Sequence, residues 1–335
     1  MIAIIIVTIC LSLSAPCLAK EQKKVNPQAI PFEVNGCFNL VNQGDFQAAV
    51  EMCKQATTKY PKNKYAWHSL GKAYSGMREY KLAAVAFKKE LAFVPKEEAL
   101  QVYSDLCGVY QRSDDINNVI VYTNKILASN VSKEDKWSYA HSHLYYLAAN
   151  YLNQEKYRAS LKYWDIAIGL MNKSNIHSNK SFFLHASQTA KRFGDYPRAL
   201  AYLLELTGTI RQDDLSYASL SFQIGDIYRL MRNYDKAEEN LSDAIDIIQG
   251  RRKKELNVTG DMKRFLDEQE ATTYLFWGWL CHDKRENDKA KDYMKRAYDL
   301  IAKYKDLDPM GHRQEEYVLK EVNFLEKGDE SQRKQ

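Results

Sequence analysis

Apolar and small residues recur along this chain at spacings that place them on one side of a helix. Between Trp67 and Pro95 the order is W-x2-L-G-x2-Y, followed by an aromatic residue, a small residue, a second aromatic residue and a closing proline. Residues four, seven or eight apart lie on the same helix face, so the segment predicts two helices that return antiparallel across a short turn. The marker residues are Trp67, Leu70, Gly71, Tyr74, Tyr80, Ala83, Phe87 and Pro95.

The same order returns along most of the chain, in some places completely and in others only in part. When equivalent first-helix positions are aligned, the steps between them are 36, 41, 39, 38 and 53 residues. The last step contains an insertion, and a unit before Trp67 keeps only its second half clearly. The aligned positions are Trp67, Tyr103, Leu144, Phe183, Ser221 and Tyr274.

This order and spacing resemble the tetratricopeptide repeat, a helix–turn–helix unit of 34 residues that buries its apolar face only when it stacks on neighbouring units. The resemblance covers about residues 30–300, with four repeats clear and three weak. It implies an all-α fold, a right-handed α-α superhelical solenoid of about seven helix pairs with a C-terminal capping helix. The marker residues are then expected to pack inside the array rather than to bind a cofactor.

The resemblance and the sequence around it divide the chain into five segments. Residues 1–19 are expected to be a signal peptide or N-terminal anchor, and residues 20–31 a linker. The repeat solenoid is expected at 32–305, the capping helix at 306–327 and a disordered tail at 328–335.

The N-terminal segment has the character of a targeting signal. An almost unbroken apolar run from Ile2 to Leu18 carries no charge and is followed by Lys20 and further lysines. Its length is typical of a signal-peptide core, so we expect the protein to be secreted or to enter the periplasm or cell envelope. No basic residue precedes the run, which departs from the usual signal-peptide pattern. Two alternatives stay open: an uncleaved anchor held by the lysines that follow the run, and lipid attachment at Cys17.

Composition favours a folded helical protein and limits the kinds of partner. Hydrophobic residues make up 45% of the chain and charged residues 27%, with only 14 Gly and 7 Pro in 335 residues. A net charge of +5 is small for this length and does not indicate nucleic acid, for which Lys and Arg would cluster on one face. We expect a protein or peptide ligand, no nucleic acid, and membrane contact only through the N-terminal segment if it is uncleaved.

Four cysteines lie outside the apolar leader: Cys37, Cys53, Cys107 and Cys281. The first two fall on the two helices of one predicted pair, so a disulfide between them is geometrically possible. However, Cys37, Cys107 and Cys281 each fall at or near a close-packed position for a small residue, where a thiol is a good filler. We therefore expect buried thiols at these positions.

The sequence does not contain the common motifs of enzyme active sites. Gly71-Lys72 lacks the earlier glycine of a phosphate-binding loop, and His141 and His143 are spaced so that a helix directs their imidazoles away from one metal. There is no G-x-S-x-G, H-E-x-x-H or C-x-x-C motif. We predict a protein that is not an enzyme, with no catalytic residue, no metal and no cofactor.

In tetratricopeptide arrays the first helix of each pair lines a groove that takes an extended peptide or a helix, and the resemblance carries these positions over to this chain. Aromatic residues mixed with Arg and Lys are typical interface anchors. A chaperone-type carboxylate clamp is excluded, because its Lys and Asn positions hold Val34 and Phe38 in the first repeat. The predicted partner-binding residues are Tyr65, His68, Lys72, Tyr145, Lys191, Arg192, Phe222, Asp226, Arg229, Trp279 and His282.

The insertion in the last step contains the basic run Arg251–Lys254. A solvated loop is the expected structure for this run, with a partner contact as the alternative.

Three functional hypotheses follow. The favoured one is a non-catalytic protein–protein interaction scaffold that binds a partner peptide or helix in the groove and is exported to the periplasm or cell envelope. The alternative is a membrane-anchored intracellular regulatory module that senses peptides. The third is a subunit of an enzyme whose catalytic part lies in another chain.

Overall fold

The structure is a computed structural model that describes residues 31–171, 179–211, 214–254 and 260–304, together with Glu316, residues 318–320 and Asn323. The predicted signal peptide, almost all of the linker, most of the predicted capping helix and the whole tail lie outside the described residues. Within those residues the secondary structure is helical, without a strand, so the predicted all-α class is confirmed.

The described residues form fourteen α-helices in consecutive antiparallel pairs, and two short 3-10 helices at Lys96–Glu98 and Ala302–Tyr304. The handedness of the predicted superhelix stays a prediction. The α-helices are α1 (Phe32–Gln43), α2 (Phe46–Lys59), α3 (Lys64–Gly76), α4 (Tyr80–Leu91), α5 (Ala99–Arg112), α6 (Ile116–Leu127), α7 (Lys133–Asn153), α8 (Tyr157–Leu170), α9 (Lys180–Phe193), α10 (Tyr196–Thr207), α11 (Leu215–Leu230), α12 (Tyr234–Lys254), α13 (Gly260–Asp283) and α14 (Asn287–Ile301).

The helices belong to two compact units, and the boundary falls after Phe182. In the N-terminal unit each of α1, α3, α5 and α7 packs on the helix that follows it, and the first helices also meet each other, α1 with α3 and α5 with α7. In the C-terminal unit α11 packs on α12, α13 packs on α14, and α11 contacts α13. Odd-numbered helices are therefore the first helices of the pairs and even-numbered helices the second.

Each described pair turns at one residue with a left-handed backbone, and the next residue donates its N–H to a carbonyl five residues earlier. Asp45 donates to Leu40 at 3.1 Å and Asp115 donates to Tyr110 at 2.9 Å, for example. This bond satisfies a carbonyl at the end of the first helix. The seven left-handed residues are Gly44, Arg78, Asp114, Glu155, Gly194, Arg232 and Arg285.

The turns reproduce the repeat register predicted from the sequence. From Arg78 to Arg285 the steps between successive left-handed residues are 36, 41, 39, 38 and 53 residues. These are the steps between the aligned marker positions, so the backbone confirms the alignment, including the enlarged last step.

A small residue on the first helix faces a large one on the second, sixteen residues later. A Cβ added at Gly71 would meet the Phe87 ring at 2.6 Å, and one added at Gly225 would meet Leu241 at 2.9 Å. The same distance at Gly278 is 2.7 Å, to the Met294 side chain. These glycines therefore allow close helix packing, and the opposing side chain occupies the space of the missing Cβ.

In the first pair the same two positions are joined covalently. Cys37 and Cys53 form a disulfide with a Cα–Cα distance of 4.9 Å. The expectation of a buried free thiol at Cys37 was therefore wrong. Cys37 and Cys53 occupy the two facing positions, sixteen residues apart, that hold the small and the large residue in other pairs, and we call this pair of positions the slot. Cys107, in the same position of the third pair, is a buried thiol 3.6 Å from the Thr123 hydroxyl, and burial raises its pKa to about 12.

Candidate partner-binding face

Helix α3 presents three of the predicted partner-binding residues on one side. The helix begins after Asn63, whose side-chain oxygen accepts the backbone N–H groups of Tyr65 and Ala66 at 2.9 and 3.3 Å. This cap sets the register in which Tyr65, His68 and Lys72 follow each other at helical spacing. Tyr65 is 44% exposed and the other two are partly exposed, so all three are accessible.

Two carboxylates lie behind these side chains. The His68 Nδ1 lies 3.1 Å from Glu90 Oε2 and 3.9 Å from Asp105 Oδ2. Lys72 donates to Asp105 at 2.6 Å, and Gln101 donates to the other oxygen of this carboxylate at 3.2 Å. The contacts join α3 to α4 and α5 and hold the imidazole and the ammonium group in place. We call Tyr65, His68, Lys72 and Asp105 the first-helix face of the N-terminal unit.

Sequence reasoning missed Glu90 and Asp105. Glu90 could have been found, because it lies 23 residues after Trp67, where the aligned repeats carry an apolar residue such as Ile126 or Ala167. A carboxylate at a core position needs a partner, and His68 supplies it. Asp105 had no such signal, since acidic residues on a helix surface are common.

Helices α5 and α7 are joined by a buried histidine. His143 is 4% exposed, its Nε2 lies 3.0 Å from the Ser104 hydroxyl, and its Nδ1 has no hydrogen-bond partner among the described residues. Burial, helped by nearby His141, lowers the pKa of His143 to about 4. The ring is therefore neutral near pH 7. Among the residues that the structure describes, no group of three His, Cys, Asp or Glu side chains is arranged to hold a metal ion.

Tyr145 lies further along α7 and packs within an aromatic cluster. Its ring meets Trp164 edge-on at 5.2 Å and Phe182 at 5.4 Å, and its side chain stays partly exposed. Tyr145 lies on α7, and the predicted residues Tyr65, His68 and Lys72 lie on α3; the first helix α5 comes between these two helices in the chain.

In the C-terminal unit the predicted residues of α9 and α11 neutralise each other. Asp226 is 2% exposed and bonds to Lys191 and to Arg229, whose Nη2 lies 2.7 Å away; Arg229 also reaches Asp283 at 2.5 Å. Burial by itself would raise the pKa of Asp226, but the two cations outweigh it and hold that pKa below its usual value. These ion pairs link three first helices of this unit, α9 to α11 and α11 to α13.

Three of the predicted partner contacts in this unit need correction. Phe222 is 8% exposed and stacks on Phe276 at 5.6 Å, and Asp226 and Arg229 are also buried. The reason is that α13 packs directly on α11 and covers the side that the repeat pattern assigns to a ligand. These residues support the helix packing and are not open to a partner.

The remaining predicted residues of this unit stay at least partly accessible. Arg192 is exposed, and Trp279 and His282 are partly exposed, with their rings 5.9 Å apart. Trp279 also packs against the core around Leu275.

The basic run Arg251–Lys254 continues helix α12, so the expectation of a loop is wrong for these four residues. Arg252 pairs with Asp267 at 2.5 Å and with Glu270 at 2.9 Å, and Lys303 reaches Asp267 at 2.6 Å. The rest of the insertion, residues 255–259, lies outside the described residues. None of the described helices is both long enough and apolar enough to cross a membrane.

Comparison with known proteins gives one family match. The tetratricopeptide repeat model matches residues 218–250, which cover most of α11 and α12. No curated protein matches the chain.

Several solved structures are similar in fold at low identity. The C-terminal part of a repeat-containing protein from Cytophaga hutchinsonii is 11% identical, with 84% of this chain and 98% of that one covered, at a TM-score of 0.48. A tetratricopeptide repeat protein from Parabacteroides merdae is 15% identical, with 88% and 97% covered and a TM-score of 0.39. YrrB, described as a tetratricopeptide repeat protein with an unusual peptide-binding site, is 19% identical, with 59% and 93% covered and a TM-score of 0.40.

Proposed function

We propose that this chain, whose residues 218–250 match the tetratricopeptide repeat model, is a non-catalytic scaffold that binds a peptide or helix of a partner protein on the first-helix face of its N-terminal unit. The observation that carries the proposal is the accessibility of Tyr65, His68 and Lys72 on one side of α3. At the equivalent positions of α11 in the C-terminal unit, Phe222 and Asp226 are buried.

The chemistry of this face suits an extended or helical peptide. Tyr65 offers a rigid aromatic surface that costs little side-chain entropy when it is covered. Lys72 is held by Asp105 on one side and remains partly exposed on the other, so it can also donate to a carboxylate or carbonyl group of a ligand. Because His68 and Lys72 are held by Glu90 and Asp105 before binding, the ligand does not need to order these two side chains.

We also propose that the protein is exported, to the periplasm, the cell envelope or the medium. The support is the Cys37–Cys53 disulfide, because disulfides persist in oxidising compartments and are rare in the cytosol. N-terminal sequencing of the mature protein in fractionated cells tests this. A chain that begins near Lys20 outside the cytoplasm supports export, whereas an intact leader in the membrane fraction supports the anchored regulatory module.

The binding face is tested with a displayed library of random peptides selected on the purified full-length chain. We expect selected peptides to bind the wild type and to lose at least about tenfold in affinity for the variant Tyr65→Ala/His68→Ala/Lys72→Ala. The matched control Gln47→Ala/Lys54→Ala/Thr58→Ala changes three exposed residues of α2 and should bind like the wild type. Equal binding of the peptides to both variants would show that the ligand lies elsewhere.

A further inference from the structure

Two of the second helices of the N-terminal unit, α4 and α6, carry exposed charges of one sign. The exposed charged residues within α4 and α6 are all lysines, and the one acidic residue inside these two helices, Glu90, is buried against His68. Among the described residues no carboxylate lies within ion-pair distance of any of these lysines. We call this surface the basic face. Its lysines are Lys81, Lys88, Lys89 and Lys125.

Three aliphatic side chains lie among these lysines and are open to solvent. Leu82 is 46% exposed, Val85 55% and Val121 47%. Val85 and Val121 are 36 residues apart, which is the repeat step here, so they occupy the same position on successive second helices. The basic face therefore has an apolar centre that nothing in the described part of the N-terminal unit covers.

On helix α12, exposed carboxylates lie along one side, ahead of the basic run Arg251–Lys254 at its end. Asp235, Glu239, Asp243 and Asp246 follow each other at spacings of three and four residues and occupy one helix face about 16 Å long. None of the four forms an ion pair within the described chain, whereas their neighbour Glu238 bonds to Lys284. Burial, together with the charges of Glu239 and Asp246, raises the pKa of Asp243. We call these four residues the acidic stripe.

We propose that the occupant of the basic face is a second copy of this chain, which docks there through its acidic stripe. The two surfaces have opposite sign, and the residues that define them form no ion pair within the described chain. Like charges along one helix are destabilising when they are left alone, and a lysine-rich partner surface relieves this. The contact joins two different surfaces, and each copy carries one basic face and one acidic stripe.

A membrane is a less suitable occupant of the basic face. Binding to a lipid surface through such a face depends on large apolar side chains that enter the headgroup region. Here the aromatic residues Phe87 and Tyr122 of these helices point into the core, and the exposed aliphatic side chains are short.

Charge reversal tests the proposal, with sedimentation velocity on the full-length chain as the measurement. We expect the wild type to self-associate, with a dissociation constant that rises at least about tenfold between about 50 mM and 500 mM NaCl because the contact is between exposed charges. The variants Lys81→Glu/Lys89→Glu and Glu239→Lys/Asp243→Lys should each lose self-association. Their equimolar mixture should associate again, because each then presents a surface complementary to the other.

Two control variants separate this contact from a general effect of charge and from peptide binding. The variant Lys54→Glu/Lys62→Glu makes the same charge change at exposed residues outside the basic face and should associate like the wild type. The variant Tyr65→Ala/His68→Ala/Lys72→Ala should also associate normally, so the result is independent of the proposed peptide site. Circular dichroism checks the fold of every variant, and the salt dependence of the wild type needs no variant at all.

Three results would overturn the proposal. One is a wild type that stays monomeric at low salt and high concentration, and another is a mixture of the two reversed variants that fails to associate. The third is binding of phosphatidylserine vesicles that is lost in Lys81→Glu/Lys89→Glu while no self-association is seen, which would assign the basic face to a membrane.

Discussion

At the scale of single residues, the pairing of one small and one large side chain sixteen residues apart decides how each helix pair closes. Gly71 with Phe87 and Gly225 with Leu241 show it most directly. The same slot holds a disulfide at Cys37, so different chemistries satisfy one geometric requirement. The marker pattern predicted which residue is small, and the structure shows what fills the space.

Gly71→Ala should be strongly destabilising. The new Cβ would lie 2.6 Å from the Phe87 ring, which is buried in the core and must shift. We expect a loss of about 1–3 kcal/mol in the free energy of unfolding, measured by urea denaturation. The double variant Gly71→Ala/Phe87→Leu should recover part of the loss, because the smaller side chain leaves room. Additive losses in the double variant would contradict the steric cause.

Gly44→Ala tests the left-handed turn rather than the slot. Gly44 has φ +80°, and nothing lies within 4 Å of an added Cβ, so the cost is purely one of backbone conformation. We expect a loss of about 1 kcal/mol. The matched control is Gly108→Ala in helix α5, which also has open space around it and should gain up to about 1 kcal/mol. If both substitutions changed stability in the same direction, backbone conformation would not be the cause.

At the scale of helices, polar contacts between side chains join successive first helices. Lys72 with Asp105 joins α3 to α5, and Ser104 with His143 joins α5 to α7. In the C-terminal unit Lys191 with Asp226 joins α9 to α11, and Arg229 with Asp283 joins α11 to α13. A repeat array is stabilised by contacts between neighbours, so these bonds act on the interfaces between pairs rather than on single helices.

The α5–α7 contact should make stability fall in mild acid. The folded-state pKa of His143 is about 4, against 6.5 when it is unperturbed, so the unfolded chain takes up a proton first as the pH falls. The stability is complete above about pH 6.5 and is lost progressively towards pH 4, by about 3 kcal/mol from this group. Urea denaturation across this range measures it.

A variant that cannot titrate gives the control for the acid effect. His143→Asn should be less stable at neutral pH, since it changes the bond to Ser104, but its stability should depend less on pH between 6.5 and 4. His141→Asn removes a neighbouring imidazole from the same helix and should keep most of the acid dependence. An unchanged pH profile in His143→Asn would assign the effect to other groups.

At the scale of the whole molecule, the chain is a series of helix pairs, and the first described pair is cross-linked. The Cys37–Cys53 disulfide closes a loop between α1 and α2, whose first helix has no preceding described helix to pack on. Cross-linking is one way in which a terminal pair gains stability that an inner pair obtains from two neighbours.

Reduction of the disulfide should therefore destabilise the protein. For a sequence separation of 16 residues the expected loss is about 3 kcal/mol. A thermal melt with and without reductant measures the change, and Cys37→Ser/Cys53→Ser should melt like the reduced wild type and not respond to reductant. The double variant Cys107→Ser/Cys281→Ser should keep the response, because both thiols are free. A wild type insensitive to reductant would contradict the disulfide.

Part of the site was predictable from the sequence and part was not. The spacing of Tyr65, His68 and Lys72 relative to Trp67 predicts that the three side chains lie on one side of a helix. This is predictable because it depends only on residues within a few turns of each other. Phe222 obeys the same spacing rule in its own repeat and is nevertheless buried, since α13 packs across it. A position relative to the motif does not say whether a neighbouring helix covers it.

By itself, the sequence determined the helix pairs, their register and the positions of small residues, because these depend on periodicity and on contacts within one or two turns. The spacing of marker residues gives a last step of 53 residues, and the left-handed turn residues of the backbone give the same step. The tertiary structure decided the rest: the bond between Cys37 and Cys53, the pairing of Arg252 with Asp267, and which face of each helix stays open. These depend on distances between residues far apart in the chain, and no local pattern encodes those distances.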